Sequence, residues 1–183
     1  MKISSPTIVH FINPVAVINQ LGVKEGSIVA DFGCGSGYFS IPLAKKAGKE
    51  GIVYSYDVLP QALESVQSKA KIEKATNIIT RRSNLEKHES SKLPKNSVDY
   101  VVMKDVLFQN SNREAILREA HRILKKEGKG LIVEWDNRDF SIGPQKEIRI
   151  SRENLSRLIK NEKFRIEKII DAGHFHYAFV IVK

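Results

Sequence analysis

The chain of 183 residues holds a single cysteine, Cys34. No internal disulfide can form and no thiolate cluster can bind zinc, so disulfide-stapled and zinc-ribbon classes are excluded and no metal is expected. Long apolar runs are missing too. None reaches the roughly 20 residues that cross a bilayer, and Met1 to Pro14 lacks the basic start and apolar middle of a signal peptide. A soluble, cytoplasmic protein is expected. Repeats and low-complexity tracts are absent, and the polar stretch Glu86 to Ser97 reads as a surface connection. One domain over 1–183 follows, with an N-terminal segment and helix (1–21) ahead of the core (22–183). Lys and Arg number 30 against 21 acids, a net charge of +9 that attracts anions such as nucleic acid or phosphorylated molecules. No long basic run exists, however. The densest parts are Lys45-Lys46, Arg81-Arg82, Lys125-Lys126 and the Arg149 to Lys168 segment, the pattern of a solvated basic surface.

What is present is most informative at Ile28-Val29-Ala30-Asp31-Phe32-Gly33-Cys34-Gly35-Ser36-Gly37. The apolar run ending in Asp31 reads as a buried parallel strand, and a helical pattern resumes from Tyr38 to Lys46. Three alternating glycines clear side chains where the backbone bends and where a ligand can lie on main-chain N–H groups at a helix start. The rhythm is G-x-G-x-G with the acid first. A dinucleotide fingerprint is G-x-G-x-x-G with its acid at the end of the next strand.

Along the rest of the chain, Asn13-Pro14 starts a short helix that Gly22 closes. Strands are expected at Ile52 to Tyr56, Ile78 to Arg81, Val98 to Met103, Gly130 to Trp135, Phe164 to Ile170 and Tyr177 to Val182. A helix opens at Pro60, another runs from near Asn112 and stops at Gly128, and Ser151 caps a third. Alternation of strand and helix argues for a parallel sheet with helices on both faces. Asp171 to His176 is too short for a right-handed crossover, so the last two strands must form an antiparallel hairpin.

The acid and glycine loop together with that layout resembles the class I S-adenosylmethionine-dependent methyltransferases. The resemblance spans roughly Gly22 to Lys183. It implies an α/β, Rossmann-like, doubly wound sheet of seven strands in the order 3-2-1-4-5-7-6, strand 7 antiparallel. It implies S-adenosyl-L-methionine as cofactor and S-adenosyl-L-homocysteine as product. Asp31 is then the acid by the methionyl amino end, and Gly33, Cys34, Gly35 and Gly37 pass beneath the cofactor. Asp57 is the ribose acid, with Val58 against the adenine. Asn84 and Leu85 occupy the adenine positions after strand three, though Asn84 also suits a turn cap. Lys104 offers mainly its backbone. Cys34 reads as a small residue filling a tight turn rather than a nucleophile.

The acceptor side is less defined, because methyl transfer needs positioning and proton removal more than a universal catalytic residue. His174, His176 and Tyr177, near the turn of the last hairpin, are candidate catalytic groups, with Trp135 and Asp136 at the same edge and a solvated polar turn as the alternative. His10, His88 and His121 read as surface residues. The string Ile123 to Trp135 resembles the helix, turn and fifth strand of quinone-biosynthesis-type methyltransferases, which implies a small-molecule acceptor, although Lys126-Glu127-Gly128 stands where that family has Pro-Gly-Gly. No Asn-Pro-Pro-Tyr-type segment follows strand four, which disfavours adenine-amino methylation in nucleic acid. The lone cysteine disfavours covalent pyrimidine methylation and thiol-based arsenic methylation. An RNA methyltransferase, with Phe140, Phe175 and Tyr177 as stacking rings, is the second reading, and a catalytically silent binding protein the third. Asn137 to Ile150 is the candidate lid. Either the acceptor pocket is shallow and open, or a second subunit of a homodimer completes it.

Overall fold

In the computed structural model, which describes residues 11–183, the Asn13 side chain accepts the Ala16 N–H at 3.2 Å and Pro14 takes the first helical position. These two signals start α1 (Pro14–Leu21), and Gly22, with φ at +81°, ends it. His10 lies outside the described residues. Strands and helices then alternate as β1 (Ile28–Phe32), α2 (Ser40–Ala47), β2 (Ile52–Asp57), α3 (Pro60–Ile72), β3 (Ile78–Arg82) and β4 (Val98–Lys104). They continue as α4 (Arg113–Ile123), β5 (Leu124–Trp135), α5 (Arg152–Asn161), β6 (Arg165–Asp171) and β7 (His176–Val182).

All seven strands form one sheet in the order β3-β2-β1-β4-β5-β7-β6. The first five pair in parallel, and β7 runs antiparallel to both β5 and β6. Side chains alternate between two cores. Ala30, Val101, Met103, Ile132 and Phe179 point toward α4 and α5, whereas Val29, Val53, Val102, Leu131 and Val180 point toward α1 and α2. Burial on both faces explains why these strands read as continuous apolar runs. Each fully buried Val, Ile or Leu contributes about 1.5–3 kcal/mol, so the sheet is the rigid frame of the molecule.

One expected boundary is wrong. The helix read as running to Gly128 ends at Ile123, and Leu124 is already extended and paired with Val98. The N–H groups of Asn96 and Ser97 donate to the carbonyls of Arg122 and Ile123 at 3.0 and 2.8 Å, removing acceptors on which another helical turn depends. Lys125 then reaches the Asp99 carboxylate at 2.7 Å, and Glu127 adopts φ +60° in the turn before Gly128. Among the described residues no helix is long and apolar enough to cross a membrane.

Candidate functional site

The order of strands reverses between β1 and β4, and a cavity of about 820 Å³ opens beyond their carboxyl ends. Its floor is the loop between β1 and α2. Gly33, Gly35 and Gly37 all have positive φ, at +69°, +50° and +85°. A Cβ on Gly33 would lie 2.5 Å from the Val106 side chain, and one on Gly37 3.2 Å from Val66 of α3. A Cβ on Gly35 would meet no protein atom, so its free side belongs to the cavity. Gly37 is thus a packing glycine outside the cavity lining, and Gly35 a cradle glycine.

Two acids flank this loop. Asp31 is buried, and one carboxylate oxygen accepts the Ser40 hydroxyl at 2.6 Å, which in turn receives the Ser55 hydroxyl at 2.9 Å. Burial raises its pKa to about 7, against the Ser40 hydrogen bond, with the Asp57 charge adding to the rise. Asp57, at the end of β2, accepts the Gly35 N–H through Oδ2 and the Leu59 N–H through Oδ1, each at 3.0 Å. The ribose candidate therefore also fixes the glycine loop. Cys34 donates its N–H to the Tyr56 carbonyl, and burial followed by the Asp31 and Asp57 charges pushes its thiol well above the usual range. It is a small filler. Val58 is exposed at the cavity wall, Leu85 is buried beneath it, and Asn84 Oδ1 accepts the Glu86 N–H at 2.9 Å while the residue lines the cavity.

At the other end of the cavity the chain leaves β4 through Lys104 and Asp105. Asp105 has φ +56°, a left-handed conformation that costs a residue with a Cβ about 1 kcal/mol or more. Its Oδ2 pairs with Lys104, and its Oδ1 lies 3.2 Å from His176 Nε2. Burial raises the Asp105 pKa, but the His176 contact and the Lys104 charge outweigh it and hold the carboxylate below its usual range. His176 is buried beside Trp135, ring centroids 4.3 Å apart, and both line the cavity.

Of the three candidates at the hairpin, only His176 reaches the cavity. His174 lies outside its lining, against Phe140, and its carbonyl accepts Arg138. Tyr177 points to the opposite core, donates its hydroxyl to the Ile150 carbonyl at 2.7 Å and has its pKa raised by burial and by Glu134. His174 and His176 therefore do not share a working face, because β7 begins only at His176. His88 is exposed, and His121 packs edge-on against Phe164. In the sequence Asp105 offers only a structural pairing with Lys104, which the structure contains, while its contact with His176 comes from a backbone turn that only the fold produces. Phe11, Tyr38 and Leu59, exposed rim residues, were unmarked.

The 137–150 loop is pinned. Arg149 is buried and its guanidinium donates to the carbonyls of Asp136, Arg138, Ile142 and Pro144. Gly143 lies flat on Trp135, where a Cβ would approach an indole carbon to 2.5 Å. No residue of 137–150 lines the cavity, and the candidate lid meets its lining through Gly143 against Trp135. Among the described residues no group of three or more His, Cys, Asp or Glu gathers to hold a metal.

Comparison with known proteins follows the same outline. The profile of a family described as a methyltransferase domain matches residues 23–176. A demethylmenaquinone methyltransferase of Geobacillus kaustophilus is 29% identical over 118 residues, covering 64% of this chain and 49% of that protein. A ribosomal protein L11 methyltransferase of Bacillus licheniformis is 34% identical over 110 residues, 58% of this chain and 31% of its own length. The chain spans about half the length, or less, of these curated relatives. The fold is closely matched by a SAM-dependent methyltransferase from Aquifex aeolicus, with a TM-score of 0.87, 24% identity and coverage of 97% of this chain and 93% of that one.

Proposed function

The chain belongs to the methyltransferase-domain family, and from that premise we propose that it transfers a methyl group from S-adenosylmethionine to a small-molecule acceptor. The observation that carries the proposal is the Asp57 carboxylate holding Gly35 open, beside buried Asp31, in one cavity at the sheet's reversal point. A cradle glycine whose Cβ direction is empty fits a ligand lying on the backbone, and an acid on each side fits a ligand with a cationic end and a diol. S-adenosylmethionine has both.

In this reading Asp31 and the Lys104 backbone hold the methionyl end. Asp57 accepts the ribose hydroxyls with the lone pairs not used on Gly35 and Leu59. Val58 and Leu85 sandwich the adenine, and Asn84 keeps one Oδ1 lone pair for its amino group. When bound, S-adenosylmethionine supplies a methyl carbon on a positive sulfur, which leaves as the neutral thioether S-adenosylhomocysteine. The residues then need to align the acceptor in line with that carbon, exclude water and take a proton.

In this reading the acceptor lies among Phe11, Tyr38, Phe39 and Trp135 of the cavity lining, with Asp105, His176, Gln109 and Asn110 as nearby polar groups. Flat rings around a small polar cluster favour a planar acceptor carrying an ionisable hydroxyl. Demethylmenaquinone methyltransferases among the relatives support a small-molecule acceptor. The expected test result is calorimetric binding of S-adenosylmethionine and S-adenosylhomocysteine with no binding of NAD; preference for NAD sinks the proposal.

A further inference from the structure

Five buried side-chain polar atoms lack a hydrogen-bond partner among the described residues: Ser90 Oγ, Asp105 Oδ1, Glu134 Oε2 and both ring nitrogens of His176. Folded proteins leave few such atoms, and each calls for a reason. Three of the five belong to the Asp105 and His176 pair at the acceptor end of the cavity. Asp105 Oδ1 and His176 Nε2 stand 3.2 Å apart, yet short of an aligned hydrogen bond. Catalytic hydrogen bonds are often loose in this way before the reactants bind.

Three further features hold the pair in place. The left-handed turn at Asp105 sends its carboxylate back toward β7, and Lys104 engages the other carboxylate oxygen. Trp135 covers the imidazole at 4.3 Å. Gly143, on the loop that Arg149 clamps, backs the indole where no side chain fits. A strained residue, an aromatic plate and a clamped loop converge on one imidazole, which is more support than a solvated histidine requires.

We propose that His176 is the base that takes the acceptor's hydroxyl proton and that Asp105 is the positioning residue that sets its tautomer. With the Asp105 carboxylate 3.2 Å from Nε2, the ring N–H resides there and the lone pair resides on Nδ1, which faces no such acid. In the step, the acceptor's O–H bond breaks and the proton joins Nδ1, and the oxygen's electron pair would form the new O–CH3 bond as the S–CH3 bond breaks with its pair kept by sulfur. The positive imidazolium that results faces the ionised Asp105. This inference rests on the methyltransferase reading and adds to it the proton path.

The test reads ionisation directly. 3-Nitrophenol, whose absorption moves to longer wavelength when its hydroxyl ionises, is titrated into protein saturated with S-adenosylhomocysteine near neutral pH, where the free dye is neutral and the S-adenosylhomocysteine site is not lost to protonation of Asp31. Wild type is expected to bind the dye in its ionised form. His176→Gln is expected to bind it neutral, with S-adenosylhomocysteine affinity retained by calorimetry. Asp105→Gly suits the left-handed backbone, so it keeps the turn while removing the carboxylate; it is expected to lose the ionised spectrum, and Asp105→Glu to recover part of it. A neutral or unbound dye in wild type overturns the proposal, as does an ionised spectrum in His176→Gln or Asp105→Gly. Failure of wild type to bind S-adenosylhomocysteine instead sinks the methyltransferase reading itself.

Discussion

Gly33 and Gly35 stand two residues apart with the same sign of φ, yet they resist substitution for different reasons. Gly33→Ala drives a methyl into Val106 and adds left-handed strain, so a loss of about 2–4 kcal/mol in chemical denaturation is expected. Gly35→Ala meets only the strain, about 1 kcal/mol, but fills the cavity floor; its melting point moves little while S-adenosylhomocysteine affinity falls about tenfold or more. Asp31 adds a pH signature. Its pKa is raised to about 7, and a cationic ligand needs the ionised carboxylate, so binding below that pH must expel a proton. Affinity is expected to fall by up to about tenfold per pH unit below 7, and calorimetry on Asp31→Asn should give weak binding without that slope. These residues were legible in the sequence because glycines and acids around a turn impose local constraints. The Asp105 and His176 contact joins positions 71 residues apart through a turn that only the folded sheet creates, so no local pattern announced it.

At the scale of elements, Glu134 links β5 to the short turn that follows Asp105. Its Oε1 accepts the Leu107 N–H at 2.8 Å, while burial raises its pKa to about 8 from an ordinary 4.5. Between those two pH values the folded chain keeps a proton that the unfolded chain has lost, so folding stability must decline as pH rises through this window and level off above it. Glu134→Gln removes that titration. Its melting temperature should therefore gain on wild type from pH 5 to pH 8, a difference on the order of 1 kcal/mol or more; parallel melting curves across this range would show that Glu134 ionises freely. The closing hairpin was legible because the short 171–176 connection leaves no room for a crossover, whereas the sheet order came only with the resemblance to the methyltransferases. The end of α4 was not: Leu124 continues the helical spacing, and the groups that stop the helix, Asn96 and Ser97, lie on a loop earlier in the chain.

For the whole molecule, the question is what the charge of +9 is for. Many of the cations face acids on the surface, as in Lys45 with Glu73, Lys125 with Asp99, Lys129 with Glu167 and Arg118 with Glu162, which leaves the excess charge dispersed over the rest. The cavity mouth is not a basic funnel. Of its exposed residues Phe11, Tyr38, Val58 and Leu59 are apolar or aromatic and Ser36, Asn84 and Gln109 are neutral, none of them basic, and Phe11 and Tyr38 suit an apolar acceptor entering from water. The rings that RNA bases would need for stacking are committed elsewhere. Phe140 and Phe175 pack edge-to-face at 5.1 Å, and Tyr177 is buried with its hydroxyl bonded. Dispersed cations engage few phosphates at once, so bulk RNA is expected to bind weakly and to lose only about 20-fold in affinity between 50 and 200 mM salt, the response of roughly three contacts. Methyl label from S-adenosylmethionine, supplied with cell extract, should accordingly appear in the solvent-extractable organic fraction and not in precipitated RNA. A steep salt slope together with labelled RNA would reverse that assignment, because it would mean that the scattered charges act as one surface and that the apolar rim is not the entrance the acceptor uses.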